Sequence, residues 1–234
     1  MVDTFKLFAL AYKIAPLLMG KRLTIPTQGQ GNPTLTLTEK DIALLAVKKK
    51  TGSVTDIIGS RDTGKTVLAY RLAEFFGRPT FAVSPQQVPP SWITRIRLEE
   101  VETRIPAMST LICDDLPAYF SNRDYNEELS RVLERIIPMV RHKKQPPEFP
   151  VGEVHLIFCT QSAAQADRYI LDCDLAFFKP LGLLMEGIER PHIGRMYRDF
   201  VNPCFDNKDD EFIKRHVYML SRGFRGLITV NKTD

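Results

Sequence analysis

The stretch that most limits what this chain can fold into is Gly59-Ser60-Arg61-Asp62-Thr63-Gly64-Lys65-Thr66. It fits G-x-x-x-x-G-K-[ST] at every fixed position, a match expected in about one of 200 shuffles of this composition. The pattern is a physical device. Two glycines let the backbone curl and approach a ligand where a Cβ would obstruct. The curl aims a run of N–H groups and a helix N-terminus at an anion. Gly59, Ser60, Arg61, Asp62, Thr63 and Gly64 thus form the wall of a phosphate cradle. Lys65 reaches the β- and γ-phosphates of a nucleoside triphosphate, and the Thr66 hydroxyl is placed to ligand Mg²⁺. The flanks agree, with an apolar run at Val54 to Ile58 before the loop and a helical pattern from Lys65 to Phe76 after it. A glycine turn before an ordinary helix is the bland alternative, and it would need both flanks by accident.

A triphosphate site needs acidic groups at the end of a neighbouring strand. Leu111-Ile112-Cys113-Asp114-Asp115 supplies an apolar run followed by two carboxylates. Asp114 is expected on the metal side, and Asp115 as the base or orienting group for the attacking water. A helix N-cap pair is the competing explanation. A third apolar strand, Val154 to Cys159, ends in Thr160-Gln161, and an amide there can bridge the γ-phosphate and the lytic water. Apolar runs alone would say only "core"; the order of loop, acidic strand and glutamine strand gives them chemical meaning.

The remainder of the chain sets the frame. Its 234 residues suit one large domain with appendages, and 44% hydrophobic with 26% charged residues exclude a disordered chain. A net charge of +4 permits a nucleic-acid partner without arguing for one. Four scattered cysteines without a CxxC pair give no zinc site or disulfide framework and fit a reducing compartment. No secretory signal is legible, and Phe5 to Met19 carries Lys6, Lys13 and Pro16, too interrupted to span a bilayer.

Residues 1–40 are expected as an N-terminal helix and an extended arm, and 41–234 as the main domain, hard to read after 180. A helix signal begins at Thr38 and ends in Lys48 to Lys50. Thr80 to Val83 and Leu175 to Phe178 read as further strands, Ala163 to Leu171 as a short helix. Asp124 to Val140 reads as an amphipathic helix with Arg131 and Arg135 opposite its apolar stripe. Alternation of strands and helices predicts an α/β fold: a parallel β-sheet flanked by helices on both faces. Asn231-Lys232-Thr233-Asp234 imitates a guanine-reading motif, but no D-x-x-G follows the acidic strand, whose continuation reads DDLP. The GTPase reading is therefore set aside.

In this order of motifs the sequence resembles the FtsK–HerA superfamily of P-loop ATPases, in the RecA-like, additional-strand branch. The matching pieces are GSRDTGKT, LICDD, the helix ending VRHKK, and HLIFCTQ with the following FFKPLG, together about Val54 to Gly182. Asp115 stands where members usually carry Glu, and Ser162-Ala163 replace a common arginine and proline. A proline-bearing insert also lengthens the path to the glutamine strand. The chain's small size is most similar to the genome-packaging ATPases of tailless double-stranded DNA viruses. That resemblance implies a homo-oligomeric ring, hexamer or pentamer, acting on double-stranded DNA, with capsid-vertex or internal-membrane proteins as further partners. It implies a host-cytoplasmic or virion-associated location. It also implies that Arg141 is a finger reaching the γ-phosphate of a neighbouring subunit. Lys48 to Lys50, Lys143-Lys144 and Arg222 with Arg225 are the basic clusters open to DNA phosphates, or simply solvated surface. Three alternatives stand beside this: a Zot-like phage assembly or export ATPase, suggested by Arg141-His142; a small-molecule P-loop kinase; and a nucleotide-binding switch without turnover.

Overall fold

The computed structural model describes residues 35–38, 52–84, 88–115, 131, 134, 136–137, 154–161, 173–182, 189, 191–221 and 225–231. Among them, nine strands form one sheet: β1 (Leu35–Thr38), β2 (Val54–Ile58), β3 (Thr80–Val83), β4 (Ile93–Arg95), β5 (Thr110–Asp114), β6 (His155–Thr160), β7 (Leu175–Phe178), β8 (His216–Ser221) and β9 (Arg225–Asn231). Their order is β1-β9-β8-β7-β2-β6-β5-β3-β4.

The five central strands β7, β2, β6, β5 and β3 are mutually parallel. Four of them, β2, β5, β6 and β7, are buried along their whole length. Burial on both faces explains why these strands read as continuous apolar runs rather than alternating ones. Helix α1 (Lys65–Phe76) covers one face, packing Leu68, Ala69, Leu72 and Ala73 on Ile57, Ile112, Ile157 and Phe177. The opposite face carries α2 (Val101–Arg104) and Ile136 against Leu111, Leu156 and Phe158. Further along that face, α3 (Pro191–Met196) and the π-turn Tyr197–Val201 pack on Ile58, Ala176, Phe178 and Tyr218. Helices therefore lie on both faces, as the alternation predicts. Arg131 and Glu134 are helical and exposed while Ile136 is buried, in keeping with the expected stripe.

The unread part after residue 180 has a simple topology with a consequence for the site. β8 runs antiparallel to β7, with Phe178 opposite Tyr218. That reversal brings the segment before β8, helix α4 (Asp210–Arg215), to the edge where β2 and β7 end. α4 is N-capped by Asp209, whose carboxylate accepts from the Phe212 N–H at 2.7 Å. β9 returns antiparallel to β8. Leu35–Thr38, read as the end of an arm and the start of a helix, instead forms β1 and pairs in parallel with β9 at the sheet edge. The expected N-terminal helix, the helix at 163–171 and most of the one at 124–140 lie outside the described residues.

Candidate active site

The phosphate loop leaves β2 at Gly59. Ser60 N–H donates to the Pro180 carbonyl (3.1 Å) and Gly59 N–H to the Thr160 carbonyl (3.2 Å), so the loop's base is stitched to the ends of β7 and β6. A glycine is required at 59 by close approach: a Cβ there would lie 2.4 Å from the Cβ of Lys179. Gly64 is required by conformation, since it caps α1 with φ +86°. Lys65 lies over the loop, its Nζ donating to the Ser60 carbonyl at 2.7 Å, and the Thr63 hydroxyl donates to the same oxygen at 2.8 Å. Burial pushes the Lys65 amine below the usual lysine range, with Asp114, Asp115 and Asp62 among the opposing charges.

Asp114 ends β5 with its side chain toward α1. The Thr66 hydroxyl donates to its two carboxylate oxygens at 3.1 and 3.3 Å. Burial raises the Asp114 carboxyl, and Asp115 raises it further, against the lowering effect of the Thr66 bond and Lys65. Asp115 has φ +51°, a left-handed backbone held by its N–H bond to the Cys159 carbonyl at 3.1 Å. Such a conformation in a non-glycine residue costs about 1–3 kcal/mol and is sustained only where the surroundings fix it. Here it breaks the strand alternation, so that the two adjacent acids serve different partners. Gln161 Nε2 donates to both Asp115 oxygens at 3.1 and 3.2 Å, while its Oε1 accepts from Arg61 Nε at 3.3 Å. A chain of contacts thus runs from the phosphate loop through the amide to the second acid.

These groups line one cleft of about 510 Å³, within the usual size of small-molecule sites. The oxygen donors Thr66 and Asp114 fit Mg²⁺, which prefers one or two protein oxygens completed by water and phosphate. Among the described residues no cluster of three or more His, Cys, Asp or Glu side chains could cage a metal by itself. An ion shared with a polyphosphate suits this donor set better than a resident one.

The predicted Gly59–Thr66 loop, Asp114, Asp115 and Gln161 are therefore brought together. Arg141 lies outside the described residues, as do Lys48 to Lys50, Lys143-Lys144 and Arg222. Arg225 sits on β9, its guanidinium 5.1 Å above the Phe200 ring. The cleft also includes Arg71, Ser84, Lys214 and Arg215, which no motif marks. Arg71 follows Lys65 on α1 by six residues and so lies beyond the pattern. The only sequence trace of Lys214 and Arg215 is a pair of basic residues at the end of a short helix.

β6 stands between the phosphate-loop strand β2 and the acidic strand β5. That inserted strand, the loop and the glutamine at its end define a P-loop NTPase fold of the RecA-like, additional-strand arrangement. No protein-family model matches the chain, and no curated protein matches it. Among solved structures, the RadB recombinase superposes with a TM-score of 0.41 at 12% identity, over 55% of this chain and 76% of that one. A point mutant of Thermotoga maritima RuvB superposes at 0.38 and 13% identity, over 76% of this chain and about half (53%) of its own length. At these scores neither likeness bears on function; strand order and site geometry carry the class. Among the described residues no helix is long and apolar enough to cross a membrane.

Proposed function

We propose that this protein hydrolyses ATP with Mg²⁺ and works as a homo-oligomeric ring that moves double-stranded DNA, with viral genome packaging as its setting. The observation that carries the hydrolytic part is the convergence of Lys65, the Thr66–Asp114 pair and the Asp115–Gln161 pair in one cleft. Lys65 and the loop amides hold the β- and γ-phosphates. The Asp115 carboxylate takes a proton from the attacking water, and the Gln161 amide orients that water while it steadies Asp115. Thr66 and Asp114 would hold the metal, which, when bound, neutralises phosphate charge as it develops. An arginine from a neighbouring subunit, Arg141, completes the charge stabilisation in this reading.

The DNA-moving part is supported by the resemblance of the motif order to packaging ATPases. In that reading residues 41–234 together with β1 are the motor unit, and DNA contacts go to phosphates and are blind to sequence. The test is steady-state ATP hydrolysis with and without duplex DNA, alongside mass measurement in solution. Stimulated turnover by a ring is the expected outcome. A monomer producing ADP only with an added small acceptor would replace this reading with a kinase, and ATP binding without turnover would replace it with a switch. Lys65→Ala should abolish turnover, and retained activity would discard the assigned site.

A further inference from the structure

Helix α4 ends beside the phosphate loop, and that is an awkward neighbour for an anion. The last carbonyls of a helix carry partial negative charge and lack partners within the helix. A Cβ built on Gly64 would be only 3.6 Å from the Lys214 carbonyl oxygen, so this helix end abuts the loop. One buried cation changes its character. Lys179, 1% exposed, extends from the end of β7 beneath Gly59. Its Nζ donates to the carbonyls of Ile213 (2.6 Å), Lys214 (3.1 Å) and His216 (2.6 Å). Three donors of one ammonium are thus spent on the end of α4. With the carbonyls occupied, Lys214 and Arg215 line the cleft, among five basic residues and three acidic ones.

We propose that α4 forms a second cationic wall of the nucleotide site within the same chain, with Lys214 and Arg215 binding the polyphosphate and Lys179 as the positioning residue that holds them there. The proposal rests on the reading of the cleft as an ATP site. Arg215 is ion-paired with Glu211 one turn back, both side chains about two-thirds exposed (66% and 68%). Exposed pairs of this kind are weak, so the guanidinium can turn to a phosphate at little cost. Burial, with Arg71 and Lys65 nearby, pushes the Lys179 amine down to about 7. A bound polyanion would offset the smaller, Coulombic part of that shift.

The experiment is titration of ATP, ADP and AMP with Mg²⁺ into the full chain and its variants. Lys214→Ala/Arg215→Ala should weaken ATP binding about tenfold or more through lost charge-assisted bonds, and weaken AMP binding less. A matched loss of two exposed charges, Arg195→Ala/Arg198→Ala, should stay within about twofold, since screened charges away from the cleft contribute little. Lys179→Arg should retain affinity and Lys179→Met should lose it. Combining Lys179→Met with the double alanine variant should add little further loss, whereas a merely structural lysine would give additive losses. Should Lys179→Met not fold, the Lys214/Arg215 pair alone decides. Wild-type affinity in the double alanine variant, with binding abolished by Lys65→Ala, overturns this inference and leaves the ATP site standing. No ATP binding by the wild type overturns the site reading itself.

Discussion

Replacing Gly59 with alanine asks whether the phosphate loop is held by close packing beneath it or only by its own turn. The added methyl would sit 2.4 Å from the Lys179 Cβ, 3.1 Å from its carbonyl oxygen and 3.2 Å from its carbonyl carbon. Non-bonded carbons rest at about 3.5–4.0 Å, so more than about 1 Å must be opened. Lys179 has nowhere to go. Its N–H is bonded to the Ile58 carbonyl at 2.7 Å, and its amine is fixed at three carbonyls behind it. The strand ends of β2 and β7 must part instead, weakening the Lys179–Ile58 and Ser60–Pro180 bonds. Overpacking of this kind costs about 1–3 kcal/mol, and each impaired hydrogen bond adds about 1 kcal/mol. The sum is about 3–5 kcal/mol, which for a chain of this length lowers the melting temperature by roughly 6–20 °C. Nucleotide affinity should fall with it, because the displaced segment is the cradle. Gly77→Ala is the control: φ is +60° but nothing lies within 4 Å of the new methyl. It should cost about 1–2 kcal/mol of backbone strain and leave nucleotide binding alone. Melting curves and ATP titrations of the two variants decide. If Gly59→Ala melts with the wild type and binds equally well, the packing argument is wrong.

Asp115→Asn should keep ATP binding while slowing hydrolysis at least about 100-fold, as expected for loss of a general base; equal loss of both would move the base elsewhere. Asp56, buried in β2, has its carboxyl pushed up to about 8 by burial, against bonds from Thr160 and Ile57. The folded chain therefore keeps a proton that the unfolded chain releases near pH 4, so stability should fall as pH rises from about 4 to about 8. Urea midpoints across that range should decline less in Asp56→Asn, and parallel curves would refute the assignment. If Arg141 acts in trans, mixing Arg141→Ala with Lys65→Ala subunits should partly restore ATP hydrolysis, because a mixed interface joins an intact loop to an intact finger. Mixtures as inactive as either variant would count against it.

Local chemistry and strand burial account for what was legible in the sequence. The loop is written in glycine, lysine and threonine at fixed spacing, and each central strand announces itself because both faces are covered. The acidic pair and the terminal glutamine were readable for the same reason, as polar residues standing where an apolar run stops. What escaped reading depends on direction. Nothing in His216–Ser221 says that β8 runs antiparallel to β7, yet that single reversal carries α4 to the phosphate loop; a parallel β8 would have left Lys214 and Arg215 at the opposite edge. Lys179 was invisible for a related reason. A lysine after Leu-Ala-Phe-Phe reads as the solvated end of a strand, and only the approach of a helix C-terminus, 34 residues later in sequence at the nearest bond, turns it into a buried donor. β1 belongs to the same class, four residues of a Thr- and Pro-rich arm that become a strand because β9 offers an edge. The phosphate loop, the acidic pair and the glutamine are thus encoded locally, while the basic residues of α4 reach the cleft through chain topology.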